Sequence, residues 1–396
     1  MTQEIKLMVK PDYIKKYKSG YPLIHKDSVA HFKDVATEGA IIYLTDQKGR
    51  FIAKGYYGIQ NKGIGWVLTT DEKETIDFHF FKRSILAAIN KRQAFYKDKH
   101  TNAFRVFNGE GDGIGGITID YFDGYYLINW YSEGMYAFKD QVIAVLDELG
   151  DYKGVYEKKR FDTKGKYIDD DDFVKGTRGE FPIIVKENGI NYAVYLNDGA
   201  MVGIFLDQRN VRKAIRDTYA KGKHVLNTFS YTGAFSVAAA LGGAEKTTSV
   251  DLAKRSKSKT IEQFSVNGID FEAQDIIVMD VFDYFKYAKR KEKKFDLIIL
   301  DPPSFARSKK RTFSTAKDYP GLILDSLDIL KNDGIIVAST NNASFGMKKF
   351  KGFIDKAFRD KKRKYQILEE FTLPADFQVK DSYPQGNYLK VVIIKA

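Results

Sequence analysis

The chain has 396 residues, a formal net charge of +12 and no cysteine. Its length calls for two or three domains. The missing cysteines exclude disulfides, thiolate metal sites and every mechanism built on a cysteine nucleophile. Hydrophobic content of 43% supplies buried cores and excludes a largely disordered chain. Five histidines are scattered without ligand-like spacing, so no metal is expected. The polar start, Met-Thr-Gln-Glu-Ile-Lys, leads into no signal-like stretch, and no uncharged apolar run has the length of a membrane span. A cytoplasmic protein with no membrane partner is the expectation. The positive charge suits phosphate backbones, although many basic proteins bind none.

In chain order, strand-length runs at Ala40–Leu44, Phe51–Tyr57 and Gly65–Leu68 predict a small β-domain. Helical spacing over Phe78–Tyr96 predicts a connecting helix. Strands follow at Ala103–Asn108, Ile117–Tyr121 and Tyr125–Trp130, with the Gly-rich Gly109–Gly116 after the first. A helix over Tyr136–Leu149 and strands at Gly154–Glu157 and Ile183–Glu187 complete a middle unit. The polar stretch Lys158–Glu180, with Asp169 to Asp172, reads as a solvated loop, because adjacent carboxylates do not converge on one ion. From Val194 on, strands at His224–Phe229, Lys246–Asp251, Ile276–Met279, Phe295–Asp301 and Gly334–Thr340 alternate with helices at Phe235–Leu241, Ala253–Asn267, Pro320–Leu330 and Lys348–Lys361. Strands at Tyr365–Thr372 and Asn387–Lys395, joined by a loop, predict an antiparallel edge hairpin. The fold class is α/β: a Rossmann-like parallel sheet with that hairpin, preceded by a small β-domain and a small α/β domain. The domains are placed at 1–72, 73–190 and 191–396.

The chemistry concentrates at predicted strand ends. Asn227-Thr-Phe229-Ser230-Tyr231-Thr232-Gly233 joins an apolar strand to an alanine-rich helix, where Gly233 admits a ligand to the backbone. Neither the Gly-x-Gly-x-x-Gly fingerprint nor a Walker lysine stands at this strand-to-helix turn, so a nucleoside such as S-adenosylmethionine fits better there than a pyrophosphate cofactor. Asp251 ends the next strand, where a carboxylate can accept from both ribose hydroxyls. Asp280 follows the third strand and can accept from an adenine amino group while the Val281 amide meets a ring nitrogen. Either acid could instead be a helix N-cap. Asp301-Pro302-Pro303-Ser304-Phe305 is the sharpest motif: the prolines hold an extended backbone with outward carbonyls, and Phe305 can stack on a base turned out of its helix. A rigid turn is the alternative. Basic clusters at Lys289–Lys294, Arg307–Arg311 and Lys348–Lys351 are placed around this edge, and one at Arg359–Lys364 is read as a solvated helix face.

With these residues in view, the chain resembles a family of three-domain 23S rRNA methyltransferases: an N-terminal PUA domain, a middle α/β domain and a Rossmann-like domain. Phe51-Ile-Ala-Lys-Gly-Tyr-Tyr57 looks like the PUA strand pair, and Asn108-Gly-Glu-Gly-Asp-Gly-Ile-Gly-Gly-Ile-Thr-Ile-Asp120 resembles the opening of the middle domain. Phe205-Leu-Asp-Gln208-Arg209 is similar to the segment before the cofactor strand, which would lay Gln208 and Arg209 beside the cofactor. The resemblance implies S-adenosylmethionine as methyl donor, 23S rRNA or a large-subunit assembly intermediate as partner, and additional RNA contact from the PUA domain. A homodimer is compatible with it. Members making 5-methylcytosine carry a cysteine after the fifth strand, because C5 needs a thiolate added at C6. Here that place holds Ala338-Ser-Thr-Asn-Asn-Ala-Ser-Phe345. Thr340-Asn341-Asn342 with Phe345 instead looks like the branch that methylates guanine N7, whose in-plane lone pair needs only orientation. Asn341 or Asn342 could donate to guanine O6, or could simply cap the strand end. The alternatives are methylation of an exocyclic amine, with Asp301 and the Pro302 carbonyl accepting its protons, and an RNA-binding or ribosome-assembly protein with a vestigial pocket. A nicotinamide dehydrogenase is disfavoured because the turn at Asn227–Gly233 lacks the glycine fingerprint.

Overall fold

Phe295–Leu300 and Lys390–Lys395 are apolar at nearly every position, the pattern of strands covered on both faces. In the computed structural model they lie inside a seven-stranded sheet. The structure describes residues 4–30, 37–60, 63–161, 172–199, 201–307 and 312–396. The chain divides into two compact units. Met1–Ile183, Tyr195–Val202 and Ala375–Gly386 form the first; Ile184–Val194, Gly203–Pro374 and Asn387–Ala396 form the second.

The sheet of the second unit comprises β1 (His224–Thr228), β2 (Lys246–Asp251), β3 (Asp275–Val278), β4 (Phe295–Leu300), β5 (Leu330–Thr340), β6 (Gln366–Phe371) and β7 (Lys390–Lys395). Their order is β3-β2-β1-β4-β5-β7-β6. The first five are parallel, and β7 runs antiparallel between β5 and β6. The final pair is antiparallel as expected, and the last strand takes the inner place. Composition explains this: β7 is buried along five residues, whereas the glutamates of β6 suit an edge.

Alternate residues of each central strand feed opposite cores. Leu297, Ile299, Val337 and Ile393 pack with Val211, Ile215 and Phe235. Ile298, Leu300, Ile336 and Ile394 pack with residues of helices Val281–Arg290, Thr315–Leu327 and Met347–Asp360. The first of these helices was absent from the sequence reading, although Val281, Phe285 and Ala288 carry its spacing. Pro320 is a correction of another kind. The sequence pattern puts it at a helix start, but the helix begins at Thr315 and holds Pro320 inside it. Burial of Tyr319, Leu322, Ile323 and Leu327 on one face outweighs the hydrogen bond that proline removes.

In the first unit, Phe51–Gln60 pairs antiparallel with Ile41–Thr45 and Gly63–Thr69; Glu4–Met8 and Leu23–Ile24 complete that sheet. A second sheet is ordered Phe173–Gly176, Gly154–Lys159, Tyr125–Trp130, Ile117–Phe122, Ala103–Asn108. The polar stretch read as a loop therefore contains a strand. Its Asp172 accepts from the buried Lys158 at 2.5 Å, while Asp169–Asp171 lie outside the described residues. The segment read as a plain loop between the last two strands also has a role. Arg92, paired with Asp112, donates to the Asp376 carbonyl at 2.7 Å, and Asp376 accepts the Arg105 amide at 2.8 Å. Among the described residues, no helix is long and apolar enough to cross a membrane.

Candidate functional site

In a parallel sheet, every loop that leaves a strand lies at the same edge, and ligands bind where the strand order reverses. Here the reversal falls between β1 and β4. The loops leaving β1, β2, β3, β4 and β5 carry Phe229–Gly233, Leu252, Asp280, Asp301–Phe305 and Asn341–Phe345. All the residues read as cofactor- or base-binding thus belong to this unit, and most sit on this edge.

The loop after β1 is tightly wound. Phe229 and Tyr231 both adopt positive φ, 54° and 51°, a backbone region that costs a non-glycine residue on the order of 1–3 kcal/mol. Gly233 follows at φ 82°, where a Cβ would lie 2.6 Å from Thr260. Three bonds hold the strained loop. The Tyr231 amide donates to Asp251 at 2.9 Å, the Gly203 amide donates to the Tyr231 hydroxyl at 2.9 Å, and Thr232 donates to the Gly203 carbonyl at 2.6 Å. Ser230 is buried, with its amide on the Val250 carbonyl. Beneath the loop, Asn227 donates to Ser236 at 3.0 Å, and Ser236 shares a hydrogen bond with Ser249.

Asp251 receives a second amide, Ala253, at 2.8 Å. Each of its oxygens therefore accepts one backbone N–H and retains acceptor capacity. The neighbouring Leu252 is 55% exposed; sequence reasoning passed over it, although an apolar residue directly after a strand-end acid was the available signal. Asp280 caps the helix that starts at Val281, accepting from the Phe282 and Asp283 amides at 3.0 and 3.3 Å. The capping function considered for it from sequence is present.

Gln208 is buried and reaches two strands. Its Nε2 donates to Asp301 at 3.2 Å and to Ser339 at 2.8 Å, whereas its Oε1 is buried with no partner among the described residues. An orphaned acceptor beside a carboxylate is what a site awaiting a donor-bearing ligand presents. Burial pushes the Asp301 carboxyl up to about 6, against hydrogen bonds from Ser339 and Gln208 that pull it down. Arg209 is buried too, its Nε 3.8 Å from Glu187. The firmer partner of Glu187 is Arg212, at 2.7 and 2.8 Å, a buried pair that sequence reasoning missed. It was hidden because Glu187 and Arg212 sit in separate elements with no motif linking them.

After Asp301, Thr315 donates to the Pro303 and Ser304 carbonyls at 3.3 and 3.2 Å. Those two carbonyls are therefore engaged by the next helix rather than left outward. Phe305 is 63% exposed and starts a short ribbon in which Phe305–Arg307 pairs with Thr312–Ser314. The next aromatic, Phe313, is buried against Phe229 and Phe282. Ser304 donates to the Asn341 Oδ1 at 2.6 Å, which leaves the Asn341 amide nitrogen as a donor at an exposed residue. Asn342 accepts the Ser344 amide at 2.9 Å and so shapes its own turn. Tyr319, buried below, donates to the carbonyls of Leu300 and Ser339 and ties the ends of β4 and β5 together.

The basic clusters divide by edge. Lys348–Lys351 follows β5 on the site's edge. Lys289–Lys294 enters β4, so it lies at the opposite edge, where Lys289 pairs with Asp328 at 2.7 Å. This corrects its placement around the target pocket, since a loop entering a parallel strand and a loop leaving it lie at opposite ends. Lys361, in the Arg359–Lys364 group, pairs with the same Asp328. Of the remaining cluster, residues 308–311 lie outside the described residues.

A parallel sheet in this order, with acids after β2, β3 and β4 and a glycine turn after β1, defines a nucleoside-cofactor transferase of the Rossmann-like class. Comparison with known proteins makes this specific. Residues 117–387 match the S-adenosylmethionine-dependent methyltransferase family, and residues 7–70 match a PUA-like domain. The YwbD protein of Bacillus subtilis (strain 168), named as a candidate ribosomal RNA large subunit methyltransferase, is 62% identical over 98% of this chain and 99% of its own. Ribosomal RNA large subunit methyltransferase I of Alteromonas mediterranea is 30% identical over 98% of each. A crystal structure of SMU.776, described as a candidate methyltransferase in complex with SAH, superposes with a TM-score of 0.91 at 41% identity, covering 99% of this chain and 100% of that one. The chain belongs to the S-adenosylmethionine-dependent methyltransferase family, in the group that carries a PUA-like domain ahead of the catalytic sheet.

Proposed function

We propose that this enzyme methylates a base of 23S ribosomal RNA, at guanine N7, by direct in-line transfer with no covalent protein intermediate. The rRNA target rests on the names of the full-length relatives. The observation that carries the base assignment is the pairing at Asn341: Ser304 occupies its carbonyl oxygen, so its amide nitrogen is oriented as a donor for guanine O6. The exposed Phe305 supplies a stacking face two residues beyond Pro303. S-adenosylmethionine supplies an electrophilic methyl group, and guanine N7 needs neither deprotonation nor a thiolate. Proximity and orientation then account for the catalysis.

Within this reading, Asp251 takes the ribose hydroxyls, Leu252 covers the adenine and the Asp280–Val281 helix start meets the adenine edge. Phe229–Gly233, with Asn227 beneath it, cradles the amino-acid end together with Gln208, whose orphaned Oε1 would accept from its ammonium. Arg209, next in sequence, lies beside the cofactor with Gln208, its Nε 3.8 Å from Glu187. Asp301 and Pro302 border both substrates, and Asn342 holds the shape of the Asn341 turn. Residues 1–72 and 73–190 serve as RNA-contacting and connecting domains ahead of the catalytic domain, 191–396. A second reading, methylation of an exocyclic amine, is favoured by one observation: a carboxyl held near 6 at Asp301 can accept an amino proton.

The test is tritiated methyl transfer to 23S rRNA from a strain lacking the gene, followed by nucleoside mass spectrometry. 7-Methylguanosine is the expected product. A methylated amino group would replace the N7 assignment, and 5-methylcytidine would refute the cysteine-free mechanism.

A further inference from the structure

Lys390 opens β7 and is paired in register with Thr340, the last residue of β5 and the residue directly before Asn341. It is 3% exposed. Its ammonium donates to the Tyr388 carbonyl at 2.7 Å and lies 5.5 Å from the centre of the Phe345 ring. No carboxylate ion-pairs with it among the described residues. Among the described residues, a second cation near that ring is Lys349, from helix Met347–Asp360, at 5.8 Å. Asp207 accepts from the Tyr388 hydroxyl at 2.9 Å. Burial alone holds the Lys390 ammonium down to about 8, with no opposing charge to raise it.

A buried, uncompensated ammonium is costly, and an unbranched apolar side chain of similar length would fill the same space without that penalty. Its packing does not account for it. What it does contact is specific: the ring that ends the Asn341–Phe345 segment and the carbonyl two residues before itself. Both contacts depend on the charge, one as a cation over a desolvated aromatic face and one as a charge-assisted hydrogen bond. Asn341 is anchored from the other side by Ser304, and the segment between is shaped by the Asn342 turn. The loop is thus pinned at its start by Ser304 and at its end by Lys390.

We infer that Lys390 is a positioning residue for methyl transfer, its charge holding Phe345 and through it the Asn341 amide in the orientation that receives the target base. The inference rests on the reading of Asn341–Phe345 as the base-recognition loop. It locates a functional demand on β7, a strand otherwise devoted to the core.

The test compares Lys390→Met and Lys390→Arg in the full chain by hydrogen–deuterium exchange, thermal unfolding, calorimetric S-adenosylmethionine binding and methyl transfer to rRNA. In Lys390→Met, amides of residues 341–346 should exchange roughly tenfold faster, while the melting temperature stays level or rises. Cofactor affinity should be unchanged, and kcat should fall by a similar factor. Lys390→Arg should restore slow exchange and most of the turnover. Unchanged exchange in Lys390→Met would overturn the inference whatever the RNA assay shows. So would faster exchange spread across the sheet with a lowered melting temperature, the signature of a packing role. Faster local exchange with wild-type kcat would overturn the link to catalysis. Absence of transfer by the wild-type enzyme would instead count against the proposed function, and the exchange data would still decide the role of Lys390 in the loop.

Discussion

Asp301 links the stability of this enzyme to its activity, and the sign of that link can be worked out. Its carboxyl is raised from 3.8 to about 6 in the folded chain, chiefly by burial. A raised acid binds its proton more tightly folded than unfolded, so between pH 3.8 and 6 the native state holds the extra proton. Stability therefore falls as pH rises through this window. The gap between the two values sets an upper bound of about 3 kcal/mol, reached above pH 6 and absent below 3.8. Asp301→Asn keeps the oxygen that accepts from Gln208 but cannot ionise, so it should remove this penalty. Thermal unfolding of variant and wild type at pH 4.5 and pH 8 isolates the effect, because every other group cancels in the difference. The variant should gain up to about 3 kcal/mol relative to wild type at pH 8, or roughly 5–10 °C for a unit of this size, and much less at pH 4.5. Under the exocyclic-amine reading methyl transfer should be lost in the same variant, whereas transfer to N7 should persist. Under that same exocyclic-amine reading, kcat/KM toward rRNA in the wild type should rise with pH through about 6 as the carboxylate forms. Gln208→Leu should move that midpoint upward by removing a hydrogen bond that lowers it. A stability difference independent of pH would refute the assignment of the strain to the part-buried Asp301 carboxylate.

Four further outcomes follow from the geometry. Asp251→Ala removes the acceptor for the Tyr231 and Ala253 amides as well as the proposed ribose contact; calorimetry should show S-adenosylmethionine binding weakened by about 2–3 kcal/mol, and unchanged affinity would take Asp251 out of the site. Phe305→Ala, at an exposed position, should alter stability by less than about 0.5 kcal/mol and leave cofactor affinity intact while reducing RNA turnover; a loss of cofactor binding would contradict its stacking role. Asn341→Ala should reduce turnover without weakening the fold, whereas Asn342→Ala should loosen the turn by about 1 kcal/mol, so equal, wild-type rates in both would sink base recognition by this loop. Glu187→Gln strands a buried Arg212 and should destabilise the catalytic unit by about 3–5 kcal/mol in urea unfolding, an effect that Arg212→Met added to it should partly relieve.

How much of this could be read from the chain depended on whether the signal was local. The apolar runs at β4 and β7 and the alternation of strands with helices are local, and they carry the parallel sheet and its antiparallel edge pair; the strand order, and with it the point of reversal, is not legible in them. The PUA-like strands were similarly visible. Residues 375–386 were not, because what assigns them to the first unit is a contact from Asp376 to Arg105 and Arg92, almost 300 residues earlier in sequence. The basic clusters failed for a related reason. Charge is visible in a sequence, but which end of a parallel strand it occupies depends on whether it enters or leaves that strand. Lys289–Lys294 was therefore placed at the wrong edge.

The site acids show a subtler limit. For Asp251 and Asp280, sequence reasoning set a ligand role against a capping role, as though one excluded the other. In the structure both carboxylates already accept backbone amides from the loop or helix they border. A carboxylate has about four acceptor positions, so holding its own loop leaves capacity for a ligand. The bond from Tyr231 to Asp251 also helps retain the strained backbone at Phe229 and Tyr231, residues of the proposed cofactor cradle. Capping is thus part of how such a site is held ready before a ligand arrives. On this argument Asp251→Asn, which keeps one oxygen acceptor, should retain the loop but lose part of the ribose contact. Its cofactor affinity should fall between those of wild type and Asp251→Ala, while exchange of the Tyr231 amide stays close to wild type. Equal affinity losses in the two variants, with equal loosening at Tyr231, would mean that the loop and the ligand do not share the carboxylate in this way.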